Sequence, residues 1–166
     1  MKRSVLTLAV VVATVASWIT APTLGATPVG CTTPRLVVWL DTAGEPAAGS
    51  VDYKLEFTNQ SGHTCTLTGY PGVSAIDLRQ IRVGSPGSHG SSVRPAVVQL
   101  ANGATATAEL RFVDARNFPP TKCRPYEAAG LRVYPPNQTA SKLIPFPFEA
   151  CSSTGPTVLN VDTVTR

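Results

Sequence analysis

Few residues in this chain have the types and spacing that chemistry requires. It has two histidines, His63 and His89. His89 sits in Gly84–Ser92 (GSPGSHGSS) among Ser85, Ser88, Ser91 and Ser92, with Asp77 or Asp114 as the carboxylate that would orient an imidazole base toward a serine nucleophile. The G-x-S-x-G elbow that presents such a serine is missing. A loop of glycine and serine is also a poor mount for groups that must meet within tenths of an ångström. His89 therefore reads as a solvated loop residue, and His63 as an exposed turn residue beside Cys65. A serine hydrolase using His89 is the alternative; the sequence assigns no catalytic residue and reads as a non-enzyme.

Carboxylates and cations give little more. Asp52 and Glu56 share one face of a strand but stand ~13 Å apart along it, with Lys54 between them, so a solvated face accounts for them better than a glycosidase pair. No close cluster of His, Cys and carboxylate residues suggests a metal, and Met1 is the only methionine, which disfavours copper carriage. No cofactor is expected. Arg111, Arg116, Lys122, Arg124 and Arg132, with Tyr126 and Tyr134, would make a basic aromatic patch for an anionic envelope polymer or a sugar. Asp114 and Glu127 dilute it, and scattered surface charge is the plainer reading. Asn59-Gln60-Ser61 and Asn137-Gln138-Thr139 match the N-glycosylation pattern and predict exposed turns.

The four cysteines carry more information. Residues 1–26 read as a cleaved secretory leader: Lys2 and Arg3, an apolar run from Val5 to Ile19, and Leu24-Gly25-Ala26 before the cut. The run is short of the ~20 residues a membrane span needs. Cys31 follows Thr-Pro-Val-Gly, so the Leu-small-small-Cys box for lipid attachment is absent. The mature chain, residues 27–166, is expected outside the cell with no membrane span. Its formal charge falls from +4 to +2 once Lys2 and Arg3 leave, which gives no nucleic-acid footprint. In an oxidising setting four cysteines make two disulfides, with three connectivities open. The sequential pairing, Cys31 with Cys65 and Cys123 with Cys151, is preferred; each bridge would close about 30 residues and contribute on the order of 3–4 kcal/mol. Zinc fails on spacing, since no C-x₂₋₄-C half-site occurs.

The elements that position these residues are strands. Val51, Tyr53, Leu55 and Phe57 alternate with Asp52, Lys54, Glu56 and Thr58. Asn59–Gly62 is a turn, and Thr64–Thr68 returns with Cys65 and Leu67 on one face, so this stretch reads as a hairpin stapled into the core rather than as a site built on Asn59, His63 and Tyr70. Tyr70-Pro71-Gly72 reads as a second turn with Gly72 at φ > 0. Arg35–Leu40 is apolar on both sides and reads as a covered strand, followed by a loop over Asp41–Ser50. Gly72–Leu78 predicts a strand with Ile76 and Leu78 on one face. Gly84–Ser92 reads as a mobile surface loop. Val93–Leu100 and Ala104–Phe112 predict strands joined by a hairpin turn at Ala101-Asn102-Gly103. Asp114–Tyr126 is a connection tied down by Cys123. Leu131–Tyr134, the Pro-broken edge candidate Lys142–Phe148, and Val158–Val164 complete the set. No segment of the mature chain has a helical period. Eight or nine short strands predict one all-β domain, an antiparallel immunoglobulin-like β-sandwich, with a jelly roll as the other arrangement.

The run FTNQSGHTCTLTGYPGV resembles a family of secreted actinobacterial proteins whose conserved domain is of unknown function. The likeness extends to Cys31 with Arg35-Leu36, Leu100–Ala104, Cys123, Leu131–Pro136 and Cys151. The resemblance implies an exported β-sandwich with four structural cysteines, and it brings no activity or catalytic residues. The expected function is a secreted cell-envelope or extracellular module that binds a ligand or protein through its loops, Gly84–Ser92 and Asp114–Tyr126 above all. A purely structural envelope role is the blander alternative.

Overall fold

The computed structural model describes residues 29–166, so the expected leader, residues 1–26, lies outside the described residues. The domain is all-β and mostly antiparallel. Strands β1 (Val29–Gly30), β2 (Leu36–Ala47), β3 (Ser50–Asn59), β4 (Cys65–Leu67), β5 (Gly72–Ile76) and β6 (Arg82–Val83) form its first half. Strands β7 (Ser88–His89), β8 (Val98–Leu100), β9 (Thr105–Val113), β10 (Pro125–Tyr134), β11 (Lys142–Cys151) and β12 (Leu159–Val161) follow. A five-stranded sheet in the order β2-β3-β9-β12-β7 and a four-stranded sheet, β11-β10-β5-β6, enclose the core, and β1-β4-β8 form a small third sheet. The pairs β1–β4 and β7–β12 are parallel.

Alternation decides which side chains reach that core. Leu55 and Phe57 of β3, Ala106, Ala108 and Leu110 of β9, and Leu131 and Val133 of β10 are all buried in one cluster. Each large side chain removed from water in this way contributes about 1.5–3 kcal/mol. The intervening residues face solvent, as a two-residue period requires.

Several expectations are corrected. Arg35–Leu40 is not a covered strand: β2 is an edge of the five-stranded sheet, and Val37 and Trp39 are exposed on its outer face. The small-residue stretch Asp41–Ser50 is not a loop, because β2 runs on through a register shift to Ala47. Gly44 permits this, since any Cβ there would strike the Tyr53 ring and Val51. Gly69, not Gly72, takes the positive φ, of 98°. Leu78 has left the strand and stands 93% exposed beyond Ile76. Gly84–Ser92 is partly structured: Ser88 and His89 form β7 on β12, and the Gly87 and Gly90 amides donate to the Val73 and Val161 carbonyls.

The largest correction concerns two apparent hairpins. β3 lies in the five-stranded sheet, whereas β4 lies in the small sheet between β1 and β8. β8 and β9 are divided the same way. Asn59–Thr64 and Ala101–Ala104 are therefore corners at which the chain changes sheets. The two corners are bonded to each other: the Asn59 amide donates to the Ala104 carbonyl, and the Gly103 amide donates to the Asn59 carbonyl. Asn59 is wholly buried, not the exposed turn residue its sequon suggested. Its Nδ2 donates to the His63 and Leu100 carbonyls at 2.7 and 2.9 Å, and its Oδ1 accepts from the Ser61 amide. A buried primary amide must be satisfied in this way, because each unmet group costs about 1–3 kcal/mol.

The sequential disulfide pairing is observed. Cys31–Cys65 ties the chain ahead of β2 to β4, and Cys123–Cys151 ties the β9–β10 connection to the end of β11. Cys65 and Leu67 share the buried face of β4.

Candidate functional site

Where β11 lies over β3 and β9, the two main sheets leave a cleft of about 640 Å³ between them. Its size is that of a small-molecule site. The floor comes from three strands: Tyr53 of β3, Phe112 of β9, and Phe146 and Phe148 of β11. The sequence Phe146-Pro147-Phe148 sends both phenyl rings to one side of β11 and the proline to the other. The rings meet edge to face. Tyr53 and Phe112 are 5.1 Å apart at 80°, Tyr53 and Phe146 5.2 Å apart at 72°, and Phe112 and Phe148 4.8 Å apart at 82°. Such pairs add about 0.5–1.5 kcal/mol each beyond area burial. Phe112 is buried, whereas Phe146 and Phe148 are only half-covered.

The rim is polar and braced. Asp114, Ala115 and Arg116 line it from the turn after β9, and Glu149 lines it from β11. The Asp114 amide and the Asn117 side chain both donate to the Gly49 carbonyl. Gly49 has φ of +73°, and a Cβ there would strike the Asn117 amide group, so the rim requires glycine at this point. Asp114 accepts from the Arg116 amide at 2.9 Å and from its Nε at 3.1 Å. These bonds, the amide first, hold the Asp114 carboxyl below its ordinary pKa. Arg116 is correspondingly held protonated by Asp114, with Glu149 adding to the effect. The Cys123–Cys151 bridge sits two residues from Glu149 and fixes the connection that carries Arg116 to the strand that carries the phenyl rings.

The other candidates are dispersed. The His89 ring lies flat on Tyr70, with centroids 4.5 Å apart and planes 7° apart. Asp77 and Asp114, the carboxylates considered for orienting it, are both spent on their own turns. His63 is exposed and contributes to the Asn59 corner through its backbone, its carbonyl accepting from Asn59 Nδ2 and Ser61 Oγ and its amide donating to Ser61 Oγ. The basic aromatic patch is not assembled. Arg111 lies on the outer face of the five-stranded sheet, paired bidentately with Asp52 at 2.7 Å, while Arg132 lies on the outer face of the four-stranded sheet and donates to the Gln80 carbonyl. Of the two expected contact loops, the start of Asp114–Tyr126 reaches the cleft, and Gly84–Ser92 lies elsewhere. The sequence shows Phe146 and Phe148 only as part of a Pro-broken edge strand. Their Phe-x-Phe spacing was the available sign that two rings share a face.

A smaller pocket of about 230 Å³ on the five-stranded sheet is lined by Lys54, Ser92, Glu109 and Asp162, among others. Asp162 Oδ1 is buried there without a hydrogen-bond partner among the described residues. Among the described residues, no three His, Cys, Asp or Glu side chains gather as a metal site. No described helix is long and apolar enough to cross a membrane.

No curated protein and no solved structure matches the chain. A family model does match, over residues 31–165, from the first cysteine to the residue after β12 that closes on β9. The four paired cysteines and the corner motif around Cys65 thus sit within one conserved unit, and the chain belongs to the family described as Domain of unknown function (DUF4232).

Proposed function

We propose that the protein is a non-enzymatic extracellular binding module whose ligand docks in the aromatic cleft. The observation that carries this reading is the combination of half-covered Phe146 and Phe148 with Asp114, Arg116 and Glu149 on one rim. Rings supply apolar contact at low entropic cost, and paired carboxylate and guanidinium groups select hydrogen-bonding edges. A sugar ring of an envelope glycan has the matching chemistry, with a C–H face for the phenyl groups and hydroxyls for the rim.

The test is titration of the ¹⁵N-labelled protein with solubilised envelope glycan fragments, followed by amide shifts. Shifts confined to β3, β11 and residues 114–117, lost in Phe148→Ala with the fold intact, are expected. Shifts centred elsewhere, or binding unchanged by Phe148→Ala, would sink the cleft assignment. A fluorophosphonate probe addresses the non-enzymatic half: labelling that disappears in His89→Ala would make the protein a serine hydrolase instead.

A further inference from the structure

The turn between β5 and β6 is built to hold apolar side chains in water. Leu78 is 93% exposed and Ile81 54% exposed. Only three residues lie between Asp77 and Ile81, yet the turn carries a dense set of bonds. The Asp77 carboxylate accepts from the Arg79 and Ile81 amides at 2.9 and 2.8 Å. The Asp77 amide donates to the Ile81 carbonyl, and the Gln80 amide donates to the Asp77 carbonyl. Gln80 adopts φ of +63°, a left-handed conformation that costs free energy in any residue with a Cβ. Arg132 reaches over from β10 to donate to the Gln80 carbonyl at 2.7 Å. None of this buries Leu78. A turn fixed this firmly around an unpacked leucine does nothing for the fold's own core, which points to an external partner.

The charges around the turn describe that partner. Arg79 lies within the turn, Arg82 follows it, and Arg132 bonds it from β10, while Leu143 and Pro145 of β11 are on the same sheet face two strands from β5. Asp77 is the one acid at the turn, and its carboxylate is committed to the amides and to Arg79. Glu127 and Glu149 stand opposite each other at the far end of β10 and β11. Acids predominate on the opposite side of the molecule. Asp41, Glu45, Asp52, Glu56, Glu109 and Asp162 all lie on the outer face of the five-stranded sheet, with Lys54 and Arg111 among them. Arginines thus gather at the turn, and acids gather on the far sheet. An anionic plane would attract the arginine side, repel the acidic side, and orient the molecule with Leu78 leading.

We infer that the Asp77–Arg82 turn is a membrane-surface anchor, with Leu78 and Ile81 entering the headgroup region of an anionic lipid bilayer while Arg79, Arg82 and Arg132 contact lipid phosphates. A convex tip of aliphatic side chains ringed by guanidinium groups suits an interface that yields to it, and the cations sit where phosphate oxygens lie. This anchor is separate from the aromatic cleft, so the two assignments stand or fall independently.

The experiment is co-sedimentation of the exported, disulfide-bonded protein with vesicles of phosphatidylcholine alone and of phosphatidylcholine with equal parts phosphatidylglycerol. Binding is expected only to the anionic vesicles and should weaken as salt is raised. Leu78→Asp should lower the partition coefficient by about tenfold or more, and Arg82→Glu by a similar factor. Glu56→Gln, on the opposite side, should leave it undiminished. Both tip side chains are exposed, and circular dichroism will confirm the fold of each variant; Leu78→Ser serves as a second, uncharged variant. Equal binding to both vesicle types, no binding to either, or binding undiminished in Leu78→Asp and Arg82→Glu would overturn the anchor. Concentration-dependent dimers that Leu78→Asp disperses would also overturn it, by assigning the tip to a second copy of the chain.

Discussion

The Asn59 corner and the aromatic cleft lie at two places where the sheets meet, and each has a disulfide beside it. The corner is closed with directional bonds. One buried amide serves two carbonyls and an amide, while Asn102 Oδ1 accepts from the Gly62 amide across the two turns. The cleft has bonds along its rim, but its floor is closed by aromatic rings, and it stays partly open. The difference separates two tasks. Directional bonds fix which strand goes to which sheet, and a substitution there leaves buried polar atoms unmet. Aromatic packing is less exacting and leaves volume that a ligand can use. The corner specifies architecture, and the cleft has room to specify a ligand.

That contrast can be broken most readily at Asn59. Asn59→Ala should cost about 3–4 kcal/mol in urea unfolding, since it strands the Leu100 carbonyl and neighbouring groups. A loss below about 1 kcal/mol would remove the corner's special status. Next in size are the bridges. Replacing Cys31 and Cys65 together, or Cys123 and Cys151 together, should cost about 2–4 kcal/mol in each case. Only the second pair should also weaken ligand binding in the cleft, and equal binding losses from both would erase the distinction between the two sites. Phe148→Ala should cost about 1–2 kcal/mol, less than a fully buried phenyl, because its ring is half-covered. Its larger effect should be on ligand affinity, measured by titration calorimetry.

The subtlest difference is in pH. The Asp114 carboxyl has a folded pKa below its ordinary 3.8, chiefly through the Arg116 amide and then the Arg116 side chain. Its contribution is fully present above the ordinary value and is lost as pH falls through the lower folded value. The corner's bonds use amides, carbonyls and one hydroxyl, so they are indifferent over that range. Amide exchange followed into acid should loosen residues 114–117 before residues 59–63. The reverse order would contradict the assignment of Asp114 to the rim.

How much of this was legible depends on the distance over which each decision is made. Two-residue alternation is local, so the core faces of β3, β9 and β10 follow directly from Leu55 and Phe57, Ala106 and Leu110, and Leu131 and Val133. The sequential cysteine pairing, preferred among three open connectivities, is the one formed. A corner and a hairpin use the same turn residues, so Asn59–Gly62 and Ala101–Gly103 could not reveal that β4 and β8 leave for another sheet. That choice is made by β1 and the Cys31–Cys65 bridge, far away in sequence. The strand through Asp41–Ala47 was hidden for a similar reason, since Gly44 and Pro46 suggest a loop unless the Tyr53 ring above Gly44 is known. The cleft was least visible of all. Its four rings come from three strands separated by up to 95 positions, from Tyr53 to Phe148.

The first bridge has a mechanical consequence. Cys31 directly follows β1, a two-residue strand that runs parallel to β4. Tension applied at residue 29 therefore reaches a covalent bond almost at once and passes through it to Cys65. The load skips β2 and β3, the longest pair in the five-stranded sheet. The second bridge does the same for β10 and most of β11. Under oxidising conditions these loops, spanning separations of 34 and 28 residues, add nothing to the length the chain can pay out, which at ~3.3–3.6 Å per residue is a large reserve. Reduction would release it, so the redox state of the surroundings sets how far this domain stretches before it gives way.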